Sequence, residues 1–242
     1  MDDVVTISRR YCGPSDSANG GYACGILAKR IQRDAQVRLM TPPPLDVPLS
    51  VKPSAAGGFE MVNGERLIAE GHAGQIEGEV AAPVSFDAAA RAVDAFRWHT
   101  GHPFPTCFVC GPQRRRGDGL GIFPGRVANR DVVASPWIPN TSVCDDAAEV
   151  HLEVVWAVLD CPSWFGLLEF EGDATFGLLG QLTARIIRRP RVGEPCVVMG
   201  WSRGRDGRKL FGSAALYTRD GELLGSSEAI WIEPKTVPTS SP

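Results

Sequence analysis

The chain has 242 residues, of which 43% are hydrophobic and 22% charged, and its formal net charge is -3. These values are ordinary for a soluble globular protein, and they give no reason to expect a nucleic acid or an anionic membrane surface as a partner. No apolar run is long enough to span a membrane, and the acidic start Met1-Asp2-Asp3 is unlike a secretory signal. The 7 cysteines are scattered and odd in number, which does not indicate a disulfide framework. We therefore expect a cytoplasmic protein.

The first half of the chain predicts a helix followed by strands. Asn19 is a suitable N-cap before Gly20-Gly21, and the small and apolar residues that follow predict a helix. Strand-like stretches then occupy residues 36–71, where Asn63-Gly64 is a typical hairpin turn. An alanine-rich segment over residues 87–98 predicts a helix that links the two halves.

Residues 145–170 contain the longest apolar run with helical character, and the spacing of its apolar residues up to Leu159 predicts a helix. Asp145 or Asp146 is a candidate N-cap for it. Asp160 lies near its far end, just before Pro162, where both the helix dipole and the apolar surroundings disfavour a carboxylate. A residue that breaks a local rule in this way is a candidate for a functional site, although a surface aspartate at a frayed helix end is the other interpretation.

Strand-like stretches close the chain at residues 177–187, 195–202, 210–217 and 223–232. A helix combined with an antiparallel set of strands thus occurs twice, with little sequence identity between the two copies. The pattern predicts an α+β protein in which two central helices are each wrapped by a bent antiparallel sheet. We divide it into an N-terminal domain with its linker helix, residues 1–98, and a C-terminal domain, residues 99–242.

Three segments of the second half follow a known pattern. They are residues 107–112 with 119–122 (CFVCGP and GLGI), residues 188–195 (RRPRVGEP) and residues 216–225 (LYTRDGELLG). In this order they resemble the hotdog-fold thioesterase superfamily, especially its phenylacetyl-CoA thioesterase-like branch. Because the first half shares only Asn19-Gly20-Gly21 with that family, its assignment depends on the internal repeat. The resemblance implies a double hotdog in one chain.

In this family the central helix usually begins with His-Gly-Gly, and a catalytic acid follows later in the helix of the partner subunit. The resemblance aligns residues 151–153 and Asp160 of the second helix with residues 19–21 and Ala28 of the first. The second helix therefore keeps the acid but lacks the glycines, whereas the first keeps the glycines but has alanine at the position of the acid. Each half retains what the other has lost.

We predict from this complementarity a pseudo-dimer with one composite site between the two halves. The amide of Gly20 or Gly21 would polarise a thioester carbonyl, and Asp160 would act as general base or nucleophile. Asn19, at the position of the family's histidine, is a further candidate catalytic residue. The equivalent site in the other half would pair Leu152 with Ala28, and it would have no catalytic acid. The predicted function is that of an acyl-CoA thioesterase, and a non-catalytic acyl-CoA-binding or sensor protein is the alternative.

Further residues are candidates for substrate binding. Gln181 could contact a carbonyl or the attacking water, and Arg188, Arg189 and Arg191 could receive the phosphates of coenzyme A. Aromatic side chains that would line an acyl tunnel, or pack in the core, are Trp156, Trp164, Phe165 and Phe170. No cofactor is expected beyond the coenzyme A of the substrate, and a homo-oligomer is left open.

Residues 99–110 permit a different interpretation, a metal site. His99, His102, Cys107 and Cys110 have the spacing His-x2-His-x4-Cys-x2-Cys, and tetrahedral zinc accepts two nitrogen and two sulfur ligands. The prolines between them constrain the loop, and the hotdog resemblance also explains the cysteine pair. The sequence leaves this zinc site open.

Overall fold

An antiparallel sheet of eleven strands is the framework of the protein, which we describe from a computed structural model over residues 3–31, 34–172 and 176–235. The strands are β1 (Asp3–Thr6), β2 (Ala35–Leu39), β3 (Pro48–Pro53), β4 (Phe59–Asn63), β5 (Arg66–Ala73), β6 (Gly125–Arg126), β7 (Val133–Trp137), β8 (Leu178–Ile186), β9 (Cys196–Asp206), β10 (Lys209–Thr218) and β11 (Leu223–Ile232). The α-helices are α1 (Gly20–Ile31), α2 (Phe86–Ala92), α3 (Leu152–Val158) and α4 (Cys161–Phe170). None of these helices is long and apolar enough to cross a membrane.

The order of the strands reflects the internal repeat. It is β1-β3-β4-β5-β2-β8-β11-β10-β9-β7-β6, so the strands of the first half occupy one side and those of the second half the other. The two sets join where β2 pairs antiparallel with β8, with Val37 opposite Leu182. Both of these side chains are fully buried. The predicted α+β class is confirmed, and the two halves share one continuous sheet.

Helices α1 and α3 pack closely against each other, and glycine makes this approach possible. A Cβ atom on Gly25 would lie 2.5 Å from the Cα atom of Glu153, and one on Gly21 would lie 2.6 Å from the carbonyl oxygen of Trp156. These distances are too short for a side chain, so the backbones of the two helices meet at the glycines. The same contact brings the beginning of α1 to the end of α3.

The helix predicted to begin at Asp145 or Asp146 and to end near Asp160 does end there, but it begins later, and a second helix follows it directly. α3 ends at Val158, and α4 begins again at Cys161 with Pro162 in its first turn. Proline has no N–H to continue the hydrogen bonds of α3 but is well tolerated at a helix start. His151, rather than Asp145 or Asp146, occupies the N-cap position of α3. Asp160 is therefore at a junction between two helices.

The linking helix α2 packs against the second half of the chain. Its Ala89 and Ala92 belong to a small apolar cluster with Ala134 of β7 and Met199 of β9. This cluster is separate from the main core, which lies around α1, α3 and α4. The domain boundary after residue 98 stays a prediction, but α2, assigned to the first domain, makes its contacts with the second.

The GLGI segment, residues 119–122, forms no strand. The segment is an ordered loop whose Leu120 and Ile122 N–H groups donate to the carbonyl oxygens of Phe108 and Val109, at 2.8 and 3.0 Å. The loop therefore fixes the position of residues 107–110, which contribute to the site described below.

The pairing of β2 with β8 predicts that the two halves unfold together. Replacing the buried Leu182 by alanine should lower the free energy of unfolding by about 2–5 kcal/mol, because it leaves a cavity at the junction. Leu178→Ala in the same strand is the matched control, since Leu178 is 39% exposed, and its effect should be small. Denaturant unfolding followed by circular dichroism should give one transition for both variants. Two separated transitions would contradict the shared framework.

Candidate functional site

The carboxylate of Asp160 is buried where the two halves of the chain meet. Its Oδ2 atom accepts a hydrogen bond from the backbone N–H of Gly21 at 2.8 Å and another from Nδ2 of Asn19 at 3.0 Å. Its Oδ1 atom is also buried and has no hydrogen-bond partner in the described parts of the chain. The acid of the second half and the helix start of the first half, which the sequence predicts to meet, are in direct contact.

The side-chain amide of Asn19 forms hydrogen bonds with both halves of the chain. Its Oδ1 atom accepts from the backbone N–H of Tyr22 at 2.9 Å, which caps α1. Its Nδ2 group donates to Asp160 and approaches the sulfur of Cys161 at 3.6 Å. Since a carboxylate has no hydrogen to donate, aspartate at position 19 could form the cap but not the bond to Asp160.

The surroundings of Asp160 change its acidity. Burial raises the pKa of its carboxyl group to about 7, although the hydrogen bonds from Gly21 and Asn19 favour the ionised form and oppose this rise. A carboxyl group with this pKa can accept a proton and return it near neutral pH, which suits general acid–base chemistry.

A cavity of about 820 Å³ lies next to the carboxylate and is lined by both halves. Asn19 and Gly20 line it from the first half, and Asp160 lines it from the second. Its aromatic lining consists of Phe104, Trp164, Phe165, Phe176 and Trp231. The described residues around it include no lysine or arginine. Its size is that of a typical small-molecule site, and its lining favours an apolar group.

The two glycines whose N–H groups are predicted to donate to the substrate carbonyl have different surroundings. The N–H of Gly21 donates to Asp160, so this group is already occupied within the protein. Gly20 is the first residue of α1 and lines the cavity, and its N–H has no acceptor among the residues described. Of the two predicted donors, Gly20 is therefore the one that a ligand can reach.

The equivalent place in the other half has a different chemistry. Ala28 is buried where the repeat would require an acid, and Leu152 is partly buried at the start of α3. Glu153 occupies the position equivalent to Gly21, and its Oε2 atom lies 3.7 Å from Nζ of Lys29. Within the described ranges, no carboxylate contacts this helix start as Asp160 contacts Gly21.

The arginines predicted to bind phosphate lie outside the cavity lining. Arg188 and Arg189 each contact two carboxylates, and Arg191 is exposed. The carboxylates are Glu194 at 2.7 Å and Glu222 at 2.9 Å for Arg188, and Asp145 at 2.7 Å and Glu149 for Arg189. Because these ion pairs already neutralise Arg188 and Arg189, the geometry gives a phosphate-binding role no support, and the role stays a prediction.

Gln181 also lies outside the cavity lining. It is half-buried in β8 next to the fully buried Leu182, whereas Leu179 and Gly180 of the same strand line the cavity. Of the aromatic side chains predicted for the tunnel, Trp164 and Phe165 line the cavity. Trp156 packs in the core instead, and Phe170 packs under the guanidinium group of Arg126.

Three buried thiols stand beside Asp160, and the sequence pattern contains only two of them. The sulfur atoms of Cys107, Cys110 and Cys161 all lie within 4.8 Å of one another. The two histidines of the pattern do not complete a four-residue zinc set with the cysteines. His99 is exposed and packs on aromatic rings, and His102 uses Nδ1 to accept from the N–H of Phe104. Cys161 was missed because only the fold brings it to the other two.

Comparison of the sequence with protein-family models gave no match, and comparison with curated proteins gave none either. Solved structures do match the whole chain. A conserved protein of unknown function with a hotdog fold from Alicyclobacillus acidocaldarius superposes with a TM-score of 0.64 at 11% identity, over 97% of this chain and 93% of that one. The chain has a double hotdog fold.

Two further solved structures match nearly the whole chain. The TesB protein of Mycobacterium avium subsp. paratuberculosis has a TM-score of 0.61 at 12% identity, and covers 96% of this chain and 92% of its own. A candidate thioesterase II of Thermobifida fusca has a TM-score of 0.61 at 11% identity, with the same coverage. At these identities the similarity establishes the double hotdog fold. The predicted tandem arrangement is thereby confirmed.

The close contact of α1 with Asp160 gives a stability prediction. Gly21→Ala would place its Cβ atom 2.5 Å from Cβ of Asp160 and 2.6 Å from a backbone oxygen, and neither neighbour can move freely. We expect a loss of about 1–3 kcal/mol in the free energy of unfolding. Gly20→Ala is the control, because its Cβ atom would meet side-chain atoms of Leu179 and Leu39 at 2.8–3.2 Å and no backbone atom. Chemical denaturation should show a clearly smaller loss for the control, and equal losses would argue against the close approach of α1 to Asp160.

Proposed function

We propose that this double hotdog protein hydrolyses an acyl-CoA thioester at a single site, formed by Asp160 and the N-terminus of α1. The observation that supports this most directly is the position of Asp160. Its carboxylate comes from one half, is held by the helix start of the other, and borders a large apolar cavity. A buried ionisable group beside such a cavity is the usual arrangement of an active site.

Gly20 is suited to hold the thioester carbonyl. Its N–H group stands at the first position of α1, where backbone donors are unpaired and the helix dipole is positive. A carbonyl oxygen that accepts from this group gains stabilisation as negative charge develops on it. The absence of a Cβ atom lets Leu179 and Leu39 of the cavity wall pack against this helix start.

Asp160 is suited to activate water. Its Oδ2 atom is held by two hydrogen bonds, and its Oδ1 atom is without a partner in the described structure. In the proposed step, Oδ1 takes a proton from a water molecule while the water oxygen bonds to the carbonyl carbon. The carbon–sulfur bond then breaks, and the proton passes to the departing thiolate of coenzyme A. The products are a carboxylic acid and free coenzyme A.

The cavity indicates which part of the substrate it would enclose. Aromatic and aliphatic side chains dominate its wall, and no lysine or arginine is present among its described lining. Burying a phosphate there would be unfavourable because it would have no cationic partner. The acyl group would therefore occupy the cavity, and the nucleotide part of coenzyme A would remain outside. The thioesterase name of the Thermobifida fusca structure, which has this fold, is consistent with such a substrate.

A non-catalytic acyl-CoA-binding protein is the second candidate, and one observation favours it. Asp160 is only 2% exposed, and it occupies the Gly21 N–H that could otherwise serve as a second donor to the carbonyl. With a single backbone donor to the carbonyl, hydrolysis would be slower than with two donors, by about the 10²–10³ that one donor contributes to the rate. Such a protein would bind the thioester and release it unchanged.

The decisive variant is Asp160→Asn, which keeps the shape of the side chain but removes the base. We expect the rate of acyl-CoA hydrolysis to fall by about 10²–10⁴, the usual contribution of a general base. Free thiol released from a panel of acyl-CoAs measures it. Glu153→Gln, at the equivalent place in the other half, is the matched control and should retain the rate of the wild type.

Each outcome of this assay selects between the two functions. Hydrolysis that persists undiminished in Asp160→Asn would refute the role of Asp160. An absence of turnover in the wild type, together with saturable binding of acyl-CoA, would favour the binding protein.

The asymmetry between the two halves also predicts a stoichiometry. Titration calorimetry with a thioether analogue of acyl-CoA, which cannot be hydrolysed, should give about one site per chain, because only one half supplies a carboxylate against a helix start in the described structure. Phe165→Ala should weaken this binding, since Phe165 lines the cavity. Two equal sites per chain would mean that the place around Ala28 also binds the ligand.

A further inference from the structure

Cys107, Cys110 and Cys161 form a cluster that the proposed hydrolysis does not use. Each of the three is free, buried and has its sulfur within 4.8 Å of the other two. The sulfur atoms of Cys107 and Cys161 are 3.8 Å apart. In a tetrahedral zinc site with zinc–sulfur bonds of about 2.3 Å, neighbouring sulfur atoms are separated by about 3.8 Å. The observed separation is therefore that of two ligands of one zinc ion.

The backbone around Cys107 and Cys110 forms a tight turn that directs both thiols to the same side. The N–H of Gly111 donates to the carbonyl oxygen of Cys107 at 2.9 Å. A Cβ atom at Gly111 would lie 2.5 Å from the nitrogen of Cys107, so only glycine fits directly after the second cysteine. Cys161 is the first residue of α4 and reaches the turn from the other side.

Two unpartnered polar atoms border the same cavity as the thiols. Oδ1 of Asp160 and Nε2 of His102 are both buried and lack a hydrogen-bond partner within the described residues. The two side chains are 2% and 8% exposed, and both line the cavity together with all three cysteines. A buried polar atom without a partner is costly, and a cation bound beside these atoms would lower this cost by its charge.

We propose that Cys107, Cys110 and Cys161 bind a zinc ion at the wall of the cavity. Three thiolates are soft ligands that select zinc among the common divalent cations, and calcium and magnesium prefer oxygen. Nε2 of His102 is a buried atom without a partner in the described structure and lines the same cavity, while Oδ1 of Asp160 stays available for the proposed hydrolysis. The three thiolates take no part in the proposed hydrolysis, and they differ from the set of two histidines and two cysteines that the sequence suggests.

The simplest rival explanation is three reduced thiols that only fill space, because free cysteine is one of the most buried residue types. A second rival is a disulfide between Cys107 and Cys161, whose sulfur atoms are already close. Both rivals leave the protein without metal, so the metal content separates them from the proposal.

The experiment measures zinc in the whole 242-residue chain, purified without a metal-affinity tag. Mass spectrometry of the metal should give about one zinc per chain for the wild type. Cys161→Ser and Cys110→Ser should each lose most of it, whereas Cys196→Ser should keep it because Cys196 is buried elsewhere, in β9. His99→Ala should also keep it, since His99 is exposed and outside the thiol cluster.

A second measurement needs no variant and so does not depend on the folding of one. After exchange of zinc for cobalt(II), the wild type should show thiolate-to-cobalt charge-transfer absorption and the visible bands of tetrahedral cobalt. Wild-type protein that is free of zinc, takes up none after reduction and has three alkylatable thiols in this cluster would overturn the proposal. So would a Cys107–Cys161 disulfide in the purified protein, or a zinc content that Cys161→Ser leaves unchanged.

Discussion

The hydrogen bond from the Gly21 N–H to Asp160 is the interaction on which the site depends. It joins the start of α1 to the junction between α3 and α4, and it forms only because the backbones of α1 and α3 touch at glycine. The contact orients a buried carboxylate, and Asn19 adds a second bond from its capping amide. Two elements distant in sequence are thereby fixed relative to each other, and the apolar cavity lies directly beside them.

The internal repeat gives the fold its symmetry, but the site does not share that symmetry. A sheet that continues through β2 and β8 tolerates differences between the halves, since the framework needs only matching strands and buried side chains. The helix starts are freer to diverge. One has glycines and receives an acid, whereas the other has Leu152 and Glu153, and the buried Ala28 stands where the repeat would require an acid.

The break between α3 and α4 is what gives Asp160 its unusual position. In a continuous helix this side chain would lie along one helix face. A new helix, α4, begins at Cys161 with Pro162 in its first turn, so Asp160 lies at the junction between the two helices and next to Cys161. The carboxylate and the thiol of Cys161 therefore face the same cavity as the turn of Cys107 and Cys110. The buried carboxylate and the three buried thiols thus lie together where the two halves meet. Burial makes each unpaired polar atom there costly.

The sequence by itself indicated the α+β class, the internal repeat, the strands after α4 and the unusual position of Asp160, because periodicity, capping and a local conflict depend on neighbouring residues. The prediction that Asp160 meets Gly20-Gly21 came from the resemblance to hotdog-fold thioesterases. The sequence did not determine the start of α3, the partner of the Gly21 N–H or the place of Cys161 beside Cys107 and Cys110. The predicted arginines show the same limit, since their carboxylate partners include Asp145 and Glu222, which are far along the chain. Only the tertiary structure determines such contacts, because they depend on how segments that are distant in sequence pack together, and a local sequence pattern contains no information on this packing.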